Sequence, residues 1–153
     1  MPLSIGTMRA ALATIESATT SSPPIRAAFQ YAPTLPTPLP CFVNFIENGN
    51  YVTPRYPGQR EGEHHIKAVA LVALQADSAD AERTAESIIE AFTDRLDQHK
   101  TLDGTAGVIE AAVESYDYGP VNMQTNEQPY LGVSFDVRII TIEQVTYNSS
   151  GTG

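Results

Sequence analysis

The chain of 153 residues has no tryptophan, one cysteine and few basic groups. With Cys41 alone, no disulfide can form within the chain, and the expectation is a reducing compartment. Lys and Arg number nine against eighteen Asp and Glu, a formal charge of −9. The basic residues are scattered, which argues against gripping nucleic acid through phosphates, since that needs clustered Lys and Arg. No apolar run reaches the length needed to span a bilayer. The first residues, MPLSIGTMRAALATIES, lack a basic segment followed by an apolar one, so no signal peptide is expected. No GxSxG, GxGxxG or phosphate-loop pattern occurs. His64 and His65 are neighbours, and in a strand neighbours point to opposite faces, so the pair cannot chelate one ion. Cys41 has no CxxC context and sits in an apolar stretch, where a free cysteine behaves as a small hydrophobe. The residues themselves therefore point to no catalytic, metal or cofactor site.

What is present is one long amphipathic stretch, residues 77–100. Ala81, Ala85, Ile88, Ile89, Phe92 and Leu96 fall on a stripe about 100° wide, the core-facing side of a helix. Asp77 or Ser78 supplies an N-cap, and His99 and Lys100 sit near the expected C-terminal end. The opposite side carries Glu82, Glu86, Glu90, Asp94 and Asp97. Three like-charged i,i+4 pairs there cost about 0.2–0.5 kcal/mol each. That face is either simply solvated or kept acidic because of what passes near it.

Around this helix the periodicities predict one α+β domain over 1–147. A first helix spans 5–18 with Ser4 as its cap. Six of the eleven prolines lie in a connector, 19–40, read as extended or polyproline-like and pinned to the core by Phe29 and Tyr31. Strands follow at 41–49 and 64–75, separated by a long loop at 48–62 that holds Tyr51, Arg55, Tyr56 and Arg60. Beyond the long helix come strands at 108–119 and 130–145. The last has Leu131, Val133, Phe135, Val137 and Ile139 inward and Ser134, Asp136 and Arg138 outward. Residues 148–153 read as a disordered tail. The order helix-strand-strand-helix-strand-strand implies a two-layer domain: a mostly antiparallel four-stranded sheet with two helices packed on one face.

In this order the elements resemble the tail terminator (tail completion) proteins of long-tailed, siphovirus-type bacteriophages. The likeness covers about residues 8–143. It is carried by the short helix MRAALATIE, the apolar strand after Pro40 and the polar loop with Arg55, Tyr56 and Arg60. The strand HHIKAVALVAL, the acidic turn Asp77-Ser78-Ala79-Asp80, the turn LDGTAG and the final strand YLGVSFDVRI complete it. The connector and the SSGTG tail depart from the pattern. The resemblance implies a homohexameric ring on the last ring of tail-tube subunits. Such a ring ends tube growth and faces the head–tail connector, in a virion assembled in the host cytoplasm. DNA passes through without specific binding, and no enzymatic residue or cofactor is implied. On this reading Tyr51, Arg55, Tyr56 and Arg60 meet a neighbouring subunit, and the acidic helix face is a candidate lining of the bore. Another neck component, such as an adaptor or stopper, and a small ligand-binding or enzymatic α+β domain are the alternatives.

Overall fold

The computed structural model describes residues 4–21, 23–33, 36–52, 58–74, 78–122 and 129–144. Its elements are α1 (Ile5–Ser17), β1 (Ala27–Phe29), β2 (Cys41–Val52), β3 (Gln59–Leu74), α2 (Ser78–Gln98), β4 (Val108–Asn122) and β5 (Pro129–Gln144). The class is α+β as expected, but the sheet has five strands, in the order β1-β2-β3-β5-β4. All neighbours pair antiparallel except β1, which lies parallel to β2 with Ala27 opposite Cys41. The expected four-stranded sheet is thus corrected by one short strand inside the proline-rich connector.

Ser4 caps α1, its hydroxyl accepting the Thr7 N–H at 3.0 Å. Met8, Leu12 and Ile15 of α1 and Ala81, Ala85, Ile88, Phe92 and Leu96 of α2 are buried together on one face of the sheet, with Ile89 partly buried beside them. The sheet contributes Phe42, Ile66, Ala68, Ala70, Val133, Phe135, Val137 and Ile139 to the same core. Phe92 anchors it, its ring 4.9 Å from that of Phe42 and 4.8 Å from that of Phe135. α2 ends at Gln98, so His99 and Lys100 lie in the turn beyond it. There the His99 ring pairs with Asp103.

The other face of the sheet is apolar at one end only. Cys41, Val43, Val69, Leu71 and Tyr130 form a second buried cluster. Phe29, Ala32 and Leu39, from β1 and the segment after it, pack on this cluster. The connector therefore closes over the face that lacks helices, and burial pushes the Cys41 thiol up to about 12, which leaves it unreactive. Tyr31 does not join the core. It is exposed, and the Arg9 guanidinium stacks 4.5 Å from its ring centre.

Two register shifts break the alternation of faces along β3 and β4. A register shift between Leu71 and Ala73 leaves Ala73 against the helix-side core and Leu74 exposed. A second, between Val108 and Glu110, exposes Ile109 while Val108 takes the inward place.

Candidate assembly surfaces and polar clusters

β2 and β3 run on through most of the stretch expected to be a loop. Asn48 pairs with His65, Gly49 with His64 and Tyr51 with Gly62, after a shift between Ile46 and Asn48. The 48–62 loop is corrected accordingly: Asn48 and Gly49, a pair that favours tight turns, lie inside β2. Arg55 and Tyr56 lie outside the described residues. Tyr51 and Arg60 are brought together, the Arg60 guanidinium 4.1 Å from the Tyr51 ring centre. Arg60 also reaches Glu143 of its own chain at 3.4 Å.

This contact opens onto a polar cluster on the helix-bearing face, past Ile66 where the apolar core stops. Glu143 and His64 are each only 5 % exposed, although one is a carboxylate and the other an imidazole. The Glu143 Oε2 lies 3.0 Å from His64 Nε2 and accepts the Thr141 hydroxyl at 2.8 Å. The Tyr51 ring packs edge-on to the His64 ring at 5.4 Å. Burial by itself would raise the Glu143 carboxyl, but the bonds from His64 and Thr141 and the Arg60 charge outweigh it and hold it below its usual range. Gly62 makes the arrangement possible. A Cβ there would stand 2.5 Å from Glu143 Oε2, 2.7 Å from Thr141 Oγ1 and 2.8 Å from His64 Nε2. Gly62→Ala is expected to destabilise the fold by about 1–3 kcal/mol, the range for forcing extra carbon into a packed site. Urea titration measures this, and a loss under about 0.5 kcal/mol would show that the cluster yields freely.

His65 points to the opposite face, as strand alternation requires, and finds carboxylates on two other strands. Its Nδ1 lies 2.9 Å from Asp136 Oδ1 on β5 and 3.5 Å from Glu114 Oε2 on β4. Its Nε2 lies 3.4 Å from Glu63 Oε1, and Glu63 is bonded by Arg138. The hydrogen bond that the His65 imidazole donates to Asp136 is the main reason it holds its proton more tightly than usual; Glu63 and the Glu114 charge add to it against the opposing effect of burial. The Arg138 bond holds Glu63 below the usual carboxylate range.

On α2, Glu82, Glu86, Glu90, Asp94 and Asp97 are all exposed and form the acidic outer face that the helical spacing predicts. Glu82 lies close enough to Tyr118 on β4 that, after burial, its charge helps raise the phenol. Tyr116 and Tyr118 are exposed on this outer strand.

The sequence reading missed a buried polar contact between α1 and β2. Glu16 is fully buried and accepts the Asn44 Nδ2–H at 2.7 Å. The same amide nitrogen donates to Phe29 O at 3.1 Å, and Arg9 donates to Asn44 O at 2.5 Å. The signal available in the sequence was Asn44 inside an apolar strand and Glu16 at the end of an apolar helix stripe.

No family model matches the chain, and no curated protein matches it. Among the described residues no helix is long and apolar enough to cross a membrane.

Proposed function

We propose that the chain is a structural virion protein that forms a ring at the head-proximal end of a phage tail tube. On this reading it ends tube polymerisation, joins the tail to the head–tail connector and leaves a passage for DNA. The order and spacing of elements resemble tail terminators, and the α+β arrangement with both helices on one sheet face is compatible with that likeness. The observation that carries the reading is the length of the sheet. β3 and β5 have sixteen residues each, about 53 Å of extended chain, and run past the helix-side core. Ile142 is exposed at the far end of β5, Ile46 and Tyr51 are exposed on the neighbouring β2, and β4 exposes Ile109, Tyr116 and Tyr118 along the sheet edge. A sheet that outruns its own core and shows aromatic and aliphatic side chains is suited to neighbours of the same kind.

In the ring, Arg55 and Tyr56 are assigned to the contact with the adjacent subunit, as the sequence resemblance implies. Arg60 is held by Glu143 and Tyr51 of its own chain. The acidic face of α2 lines the bore, where like charge keeps phosphates from adhering during transit. The reading assigns no catalysis and no cofactor. Sedimentation of the purified chain, alone and with tail-tube subunits, tests it: a six-fold ring that caps tube ends is expected. Monomers or dimers under all conditions, with tube growth unaffected, would overturn it in favour of a ligand-binding or enzymatic domain. A ring found elsewhere in the neck would favour an adaptor or stopper. A map of the capped tube also decides whether Glu86 and Glu90 face the bore.

A further inference from the structure

We propose that His65, Glu114 and Asp136 form a binding site for a divalent transition-metal ion such as zinc. The inference rests on the geometry of the helix-free face and is independent of the assembly role. Each of the three side chains offers one ligand atom, and these atoms all lie within 4.8 Å of one another. Zinc binds imidazole nitrogen and carboxylate oxygen at about 2.0–2.2 Å, so donors sharing one ion stand roughly 3–3.5 Å apart. The separations from His65 Nδ1, 2.9 Å to Asp136 and 3.5 Å to Glu114, fall close to that range.

The ligands come from three adjacent strands, and a backbone irregularity positions one of them. Val113 pairs with Val137 and Ser115 with Asp136, so two steps along β4 match one along β5. Glu114 is the extra residue, and the bulge places its carboxylate beside Asp136.

A second observation sets this group apart from an ordinary acidic patch. The outer nitrogen of His65 is already held by a carboxylate, Glu63, which is itself fixed by Arg138. A carboxylate on the far nitrogen of a ligating histidine fixes the ring's tautomer and direction and raises its basicity as a ligand. Here it leaves Nδ1 aimed at the two remaining carboxylates. The charges of Glu63, Glu114 and Glu110 all act on the Arg138 guanidinium, and Lys67 is the residue opposite Asp136, so carboxylates outnumber cationic side chains around the site. A divalent cation fits that field. The imidazole nitrogen favours zinc, copper, iron or nickel over calcium or magnesium, which prefer all-oxygen ligands. Three protein ligands leave a position open to solvent.

Isothermal titration of the intact chain with Zn²⁺ alone, in a buffer that does not chelate, tests the site. One ion per chain is expected, with no comparable heat from Ca²⁺. Glu114→Gln and Asp136→Asn are expected to weaken binding at least tenfold, and Glu63→Gln by about 10–100-fold, the usual effect of losing a carboxylate behind a ligating histidine. His99→Ala, at the other His–Asp pair, and Glu86→Gln with Glu90→Gln on α2 leave binding unchanged. Glu114 is half exposed, so its variant preserves the fold if Asp136→Asn does not, and a melting curve checks each. Absence of saturable binding, or binding that survives Glu114→Gln but is lost in His99→Ala, would overturn the proposal.

Discussion

Phe92→Ala is expected to destabilise the protein by about 3–5 kcal/mol, the cost of removing a buried aromatic ring from a core that relaxes only in part. Phe92 is fully buried and touches both other aromatic rings of the core. Phe42 comes from β2 and Phe135 from β5, so the ring joins α2 to two separated strands of the sheet. Each tilted or edge-on pair adds about 0.5–1.5 kcal/mol beyond the area buried. The substitution therefore loosens the helix layer across the width of the sheet rather than at one contact. A denaturant titration reads the effect as a lower midpoint with an unchanged slope. A loss below about 1 kcal/mol would mean that α2 is held chiefly by its alanines and Leu96.

The two features that meet at Phe92 were the most legible parts of the sequence. The α2 stripe has one answer at 3.6 residues per turn, and the 131–139 alternation has one answer at period two. β1 was not legible, because three residues carry no period. Its pairing is parallel to a strand that begins twelve positions after it ends, across a segment dense in proline. Asn48-Gly49 and Pro57-Gly58 look like turn chemistry, yet cross-strand pairing continues through the first of them. There, local propensity was overridden by β3, itself held on its other side by β5. The register shifts that turn Ala73 towards the helix-side core and Ile109 towards solvent leave no mark in the sequence, since a bulge is a property of two strands in register.

The same reason explains the candidate sites. The acidic face of α2 lies on one helix, and residues four apart predict it directly. His65, Glu114 and Asp136 lie on three strands and are neighbours only because of a particular register and one extra residue. Asking whether His64 and His65 could share an ion gave the correct geometry for the pair. The carboxylates that matter to His65 are far from it in the chain and close to it across the sheet. Tyr51 and Arg60, expected in a loop, lie in β2 and β3, and the contacts of Arg60 with Tyr51 and the buried Glu143 depend on cross-strand register that no local spacing shows.

Glu16→Gln is expected to remove a pH dependence of stability and to make the protein at least as stable as the parent above neutrality. Glu16 is enclosed between α1 and β2, and burial raises its carboxyl well above the ordinary value, only partly offset by the bond from Asn44. The folded state therefore holds this proton more tightly than the unfolded chain does. The stability it contributes is complete below the ordinary glutamate range near pH 4.5. It is lost progressively as pH rises through the folded-state value, because unfolding then releases the proton to solvent. This is opposite in sign to Glu143, whose lowered carboxyl contributes stability that is lost as pH falls. A neutral Glu16 also accounts for two oxygens that lack a partner, Glu16 Oε2 and Asn44 Oδ1. A protonated acid carries an O–H that can donate to the amide oxygen while its other oxygen accepts the amide N–H. Glutamine reproduces both roles without a titrating proton. Glu16→Ala, by contrast, leaves the buried Asn44 amide short of a partner and is expected to cost about 1–3 kcal/mol at every pH. Chemical denaturation from pH 5 to 9 distinguishes the cases: the difference between parent and Glu16→Gln grows with pH. A difference that stays constant across that range would show that Glu16 is ionised in the folded protein throughout and that Asn44 holds it as a carboxylate.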